Sequence, residues 1–239
     1  MYLSDREARE LICSIGKQMY VKQFVTANDG NMTVRVGKRE VIVTPAGISK
    51  GSLTPDLLLK VDFDGHVLEG NGAPTSEMGM HLNIYRQNDA MQSTCHAHPL
   101  HLTAFACAGI ELDYPTTPAA ACIAGRVPVA PYFCSGSTEL ADCVVPYVDH
   151  FFLVNLGNHG PISWGKTPTD AWYRLEAAES ACQLALLLKF TLGRLRPLTL
   201  AQMEELVRFH HIDITPEGML SGAERTDNQD AKTVPFSSL

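Results

Sequence analysis

The sequence predicts an α/β fold in which a mixed, largely antiparallel sheet is covered by helices on both faces. Three observations lead there. Segments whose apolar residues recur at helical spacing alternate with segments of period two. The period-two segments pair into hairpins around short turns at Gly37 and Gly65. Finally, 239 residues with 45 % apolar content suffice for one sizeable core.

In chain order, Ser4-Asp5-Arg6-Glu7 has the form of a capping box, and Leu11, Ile12, Ile15 and Met19 give the first helix an apolar face to about residue 22. Turn residues 26–31 lead into a hairpin of residues 32–36 and 41–44. A second hairpin joins residues 60–63 to 66–69 across Asp64-Gly65. Residues 76–87 read as a helix, 93–98 as a strand, and Pro99 opens a helix that Gly109 ends. Residues 126–133 look extended, with prolines suited to a sheet edge, and residues 137–148 look helical. Strands at 151–156 and 161–164 flank a turn, Thr167-Pro168-Thr169-Asp170 caps a long helix to about residue 189, and a last helix covers 200–210. We expect one domain over residues 1–221 and a polar tail over 222–239, mobile or ordered at a subunit interface.

Composition narrows the function. The net charge of −7, with no basic cluster interleaved with aromatics, argues against nucleic acid as a partner. No apolar run approaches membrane-spanning length, and the polar start Met1-Tyr2-Leu3-Ser4-Asp5 does not read as a signal peptide. Seven scattered cysteines fit reduced thiols in a cytoplasmic protein better than a disulfide framework.

The chemistry is expected near the centre. A strand that ends at Pro99 turns His96 and His98 to one side and Cys95 and Ala97 to the other, where Cys95 counts as packing. For the pair alone, two partly buried, hydrogen-bonded histidines are the simpler reading. A third imidazole, His159 in Asn158-His159-Gly160, follows the apolar run 151–156, and the neighbouring glycine lets it approach a ligand closely. Three such ligands with one open position describe a catalytic zinc site, although another divalent transition metal would also fit. Glu77, in the first turn of the helix after Pro74-Thr75-Ser76, is the candidate base or displaceable ligand. The turns Asn28-Asp29-Gly30-Asn31 and Ala46-Gly47, with the helix start Thr75-Ser76, offer N–H groups suited to a phosphate. Each alone is also an ordinary turn. His81 and His101 read as satisfied structural histidines, and His210 and His211 as solvated residues near the tail.

The runs Thr75-Ser76-Glu77-Met78-Gly79-Met80-His81, His96-Ala97-His98-Pro99 and Asn158-His159-Gly160, in this order, resemble the class II aldolase/adducin family over about residues 5–195. The resemblance implies a three-layer αβα architecture, a zinc held by His96, His98 and His159, Glu77 as proton carrier, and a homotetramer whose C-terminal segments contribute to neighbouring sites. It also implies cleavage of a ketose 1-phosphate, such as L-fuculose 1-phosphate, to dihydroxyacetone phosphate and an aldehyde, with Asn28, Asn31, Ala46, Gly47, Thr75 and Ser76 at the sugar phosphate. The family includes decarboxylases, dehydratases, epimerases and non-catalytic adducins as well, so decarboxylation or dehydration of a phosphorylated sugar acid or thio-sugar stays open beside aldol cleavage. Two departures stand out. Ala46 lacks the hydroxyl often found at its position, and Thr117 stands where the family's aldolases carry a proton-donating tyrosine, with Tyr114 three residues away.

Overall fold

Helix α1 (Asp5–Val21) opens the chain and is fixed by the expected capping box: the Glu7 N–H donates to Ser4 Oγ (3.3 Å) and the Ser4 N–H to Glu7 Oε2 (2.9 Å). The computed structural model describes residues 2–113, 116–215 and 218–219. The expected tail and Tyr114 lie outside them. After α1 come strands β1 (Asn31–Gly37), β2 (Glu40–Val43), β3 (Leu59–Asp62) and β4 (Val67–Glu69), helix α2 (Met78–Gln87), strand β5 (Ser93–His96) and helix α3 (Leu100–Ala108). Strand β6 (Val129–Ala130), helix α4 (Thr138–Cys143), strands β7 (Leu153–Leu156) and β8 (Gly160–Gly165), and helices α5 (Pro168–Leu186) and α6 (Leu200–His210) complete it.

The eight strands form one sheet in the order β4-β3-β2-β1-β5-β8-β7-β6, antiparallel throughout except for the β6–β7 pair. This is the predicted mixed sheet with flanking helices. Its alternation sorts side chains cleanly. One face packs Met32, Val34 and Cys95 against Ile12 and Met19 of α1, Leu102 of α3 and Trp172 of α5, where the Phe24 and Trp172 rings lie 5.3 Å apart. The opposite face packs Val41, Val61, Ile162 and Trp164 against Met80 and Ile84 of α2 and Leu140 of α4. Burial of each large side chain contributes about 1.5–3 kcal/mol, so both layers hold the sheet in place.

Three segments differ from the sequence reading. The ladder of β5 stops at His96, and residues 97 and 98 continue only as an extended segment in which the His98 N–H donates to Phe24 O (2.8 Å). Of residues 126–133 only Val129 and Ala130 join the sheet, at its edge, while Val127 bridges Leu112; Pro128 and Pro131 bracket the pair and cannot donate to a ladder. Helix α4 ends at Cys143; Pro146 has no N–H to continue it, and a 3-10 turn over Val145–Tyr147 follows. A π-type turn over Ala120–Ala124 had no counterpart in the reading.

Candidate active site

His96 sits at the end of the central strand, paired with Asn31 of β1 on one side and Ile162 of β8 on the other, and is fully buried. Its Nδ1–H donates to the Pro161 carbonyl (2.8 Å), which leaves Nε2 as a bare lone pair. Burial pushes His96 down to about 3, so the ring is neutral near pH 7. His98 arrives just past the ladder, with Nδ1 facing Asp29 Oδ2 (3.5 Å) and Nε2 only 3.1 Å from His96 Nε2. Gly160 makes room for it, since a Cβ there would lie 2.7 Å from His98 Cδ2 and 2.8 Å from Ala97 O. The glycine beside His159 therefore admits the neighbouring imidazole rather than a ligand. His159 itself is carried by the β7–β8 turn, where Asn158 takes a left-handed conformation (φ 54°) that asparagine tolerates. The three ring centroids lie 4.8–5.2 Å apart.

Glu77 faces this cluster from the N-cap position of α2, where its side chain makes no capping bond. Its partners are side chains. Asn31 Nδ2 donates to Oε2 (2.8 Å), Ser135 Oγ donates to Oε1, and Oε1 lies 3.2 Å from His159 Nε2 and Oε2 3.4 Å from His96 Nε2. Burial alone would raise its pKa, but the imidazoles of His96 and His159 and the bonds from Ser135 and Asn31 prevail and hold it well below the usual carboxylate range. Glu77 is thus an ionised, nearly buried base.

Ring nitrogens and carboxylate oxygens converge here. The Nε2 atoms of His96 and His98 lie 3.1 Å apart, close to the separation of about 3.3 Å for two imidazoles that each bind one tetrahedral ion at about 2.0–2.1 Å. With His159, the ligand atoms all lie within 4.8 Å of one another, so the group could hold a metal ion.

A cleft of about 200 Å³ opens beside the cluster. Asn28, Gly30, Asn31, Ala46, Gly47, Thr75 and Ser76 all line it, together with Glu77, His98 and His159. They do not offer the same donors. Both amide protons of Asn31 are committed, to Thr75 Oγ1 (3.0 Å) and to Glu77, and the Ala46 N–H donates to Ala73 O (3.0 Å). The Ala46 backbone, expected to be its only donor, therefore already has a partner. Thr75 Oγ1 accepts from Asn31 and from the Glu77 N–H (3.3 Å), which leaves its own proton free to point outward. Gly30 is needed for a different reason: a Cβ would meet the His96 carbonyl at 2.9 Å, with φ at +73°.

Two further residues were not found from sequence. Lys50 is 2 % exposed and donates to the carbonyls of Asn28 (3.0 Å) and Ile48, which ties the first two turns together and leaves a third N–H for the cleft. Burial lowers it to about 8. Ser135 comes from the loop before α4. Neither carried a signal beyond its place in a turn-rich stretch. Thr117 Oγ1 accepts from the Ala120 N–H (3.1 Å), so it caps the π-type turn. The remaining histidines behave as expected: both nitrogens of buried His81 are partnered, His101 bonds Glu179 (2.6 Å), and His210 and His211 are exposed.

The sequence profile of the class II aldolase and adducin N-terminal domain matches residues 10–186, which hold Glu77 and all three imidazoles. The chain belongs to this family. One member, named L-fuculose phosphate aldolase in Methanococcus maripaludis, is 33 % identical over 170 residues, 71 % of this chain and 91 % of its own. Another, named 3-oxo-tetronate 4-phosphate decarboxylase in Pectobacterium atrosepticum, is 29 % identical over 209 residues, 85 % of this chain and 94 % of its own. A solved structure of L-fuculose 1-phosphate aldolase superposes with a TM-score of 0.79 at 26 % identity and covers 88 % of this class II chain and 99 % of its own.

Proposed function

We propose that this protein is a zinc-dependent lyase that cleaves a ketose 1-phosphate to dihydroxyacetone phosphate and an aldehyde. One observation carries the reading: an ionised, nearly buried carboxylate touches converging imidazoles at the inner end of a cleft rimmed by turns. His96, His98 and His159 would hold the ion, which supplies Lewis-acid stabilisation to the oxygen that gains charge as the carbon–carbon bond breaks. Glu77 moves the proton. In cleavage, the carbinol hydroxyl gives up its proton as its carbon becomes the aldehyde, the electron pair of the broken bond stays on the three-carbon half as an enediolate, and Glu77, having taken up one proton, passes it to that carbon; in condensation ionised Glu77 removes it. Thr75, Ser76, the Gly47 N–H and Lys50 hold the phosphate, while Asn28 and Gly30 shape the turn and Asn31 and Ala46 support it from within. A homotetramer in the cytoplasm is part of the proposal, and seven free thiols fit that compartment.

A second reading is decarboxylation. Loss of carbon dioxide from a 3-oxo-tetronate 4-phosphate leaves the enediolate of the same dihydroxyacetone phosphate, so both reactions ask the same work of Glu77. They differ only in the departing half. An aldehyde oxygen needs a proton that carbon dioxide does not, and the alcohol of Thr117 is too weak an acid to supply it as a phenol would; the relative with the decarboxylase name also matches more of this chain.

The zinc-loaded protein should exchange a carbon-bound proton of dihydroxyacetone phosphate in deuterated water. Glu77→Gln should keep its metal and lose this exchange by about 10²–10⁴-fold; equal exchange would remove Glu77 from the mechanism. Aldehyde released from ketose 1-phosphates supports the first reading, and carbon dioxide from 3-oxo acid 4-phosphates alone supports the second. Light scattering checks the tetramer.

A further inference from the structure

Helix α2 carries a polar stripe on the face it turns to the sheet. Glu77, His81 and Tyr85 recur every four residues, so they stack on one side of the helix. Beneath them lie Asn31, Thr94 and Thr33, brought side by side by the β1–β5 register, in which Thr33 pairs with Thr94 and Asn31 with His96. His81 Nε2 meets Asn31 Oδ1 at 2.5 Å and His81 Nδ1 meets Thr94 Oγ1 at 2.6 Å. Thr94 Oγ1 meets Thr33 Oγ1 at 2.5 Å, which in turn meets the Tyr85 hydroxyl at 2.6 Å. His81, Tyr85 and both threonines are buried.

The direction of every bond follows from one end. An ionised carboxylate only accepts, so Asn31 presents its amide nitrogen to Glu77 and its oxygen to His81. His81 therefore donates from Nε2 and, as a neutral ring, accepts at Nδ1. Burial favours that neutral ring, pushing it down to about 4. Thr94 gives its single proton to His81 and must accept from Thr33, which must accept from Tyr85. The chain cannot conduct a proton, because an amide breaks it at Asn31; what it does is fix orientation. Were the Asn31 amide to turn over, its oxygen would face the Glu77 carboxylate, and the His81 Nε2–H would lose its acceptor.

We propose that His81 is a positioning residue for the Glu77 base, acting through Asn31 as the inner member of a one-directional hydrogen-bond chain that begins at Tyr85. The proposal rests on Glu77 as the proton carrier. His81→Met removes the donor at similar bulk, and His81→Gln restores an N–H. In His81→Met, proton exchange into dihydroxyacetone phosphate should fall roughly 10- to 100-fold in kcat, with KM and zinc content close to wild type, and His81→Gln should recover most of the loss. Unchanged exchange in His81→Met, or a loss that follows zinc content or melting temperature, overturns it. A second measurement needs no substrate: nitrogen-15 spectra of the zinc-loaded protein should show His81 as the Nε2–H tautomer with an unprotonated Nδ1, and Thr94→Val should shift that Nδ1 signal. An Nδ1–H tautomer overturns the chain. A wrong reaction would appear instead as no exchange in the wild type with the expected tautomer in place.

Discussion

The two faces of the sheet, compared at the same strand, are unalike. On β5, Cys95 points into an apolar layer of Met19, Met32 and Trp172, and burial pushes its thiol well up. Its neighbours Thr94 and His96 point the other way, onto Asn31, His81, Glu77 and Tyr85. Both layers are buried, so the difference is one of bonding rather than exposure. The first layer is held mainly by packing and tolerates small shifts. The second is a set of directional bonds with one solution, and it can hold a base against three imidazoles because the first keeps the strands still. Cohesion and chemistry should therefore be separable by mutation.

The sharpest separation is expected from His98→Ala, which should abolish metal binding and proton exchange together while the protein stays folded. Elemental analysis and circular dichroism check this, and full metal content in the variant would refute the three-histidine site. Trp172→Ala, on the opposite face, should reverse the pattern: about 3–5 kcal/mol of stability lost on denaturant unfolding, with metal content per folded molecule retained. If instead the metal left first, the two layers would not be independent.

A smaller effect is expected at the rim. Lys50→Met should raise KM for the phosphorylated substrate by about tenfold, the contribution of one charge-assisted bond of roughly 1.5 kcal/mol, and change kcat less. With its pKa lowered to about 8, the wild-type ammonium is charged below that pH and neutral above it, so KM should climb as pH rises through 8 and the variant should show no such climb. Least of all, Ser4→Ala should cost about 1 kcal/mol of stability through the lost cap and leave turnover per folded molecule untouched.

How much of this was readable in the sequence depended on periodicity. Strand alternation separated His96 from Cys95 correctly, and helical spacing marked the core face of α1. The same rule extended β5 too far, because alternation along residues 93–98 carries no information about where hydrogen bonding stops; His98 reaches the site by lying against Gly160. Glu77, His81 and Tyr85 share one helix face, a stripe the sequence reading did not single out, and which strand residues they meet depends on the β1–β5 register, a long-range property. Lys50 and Ser135 sit in loops, where neither period applies. Thr117 was identified as a departure from its family, yet its use as a cap depends on the unforeseen π-type turn behind it.

The brief strand β6 has a consequence for the molecule in bulk solution. A sheet edge normally offers a row of free N–H and C=O groups onto which another chain can add. Here the edge is two residues long and closed on both sides, by Pro128 and Pro131. A foreign strand would find no more than one turn's length of template before meeting a ring that cannot donate. The eight-stranded sheet therefore ends at β6 by covalent geometry, which guards this side against the edge-to-edge growth that leads to aggregates, and replacing both prolines with valine should lower the concentration at which the protein begins to self-associate.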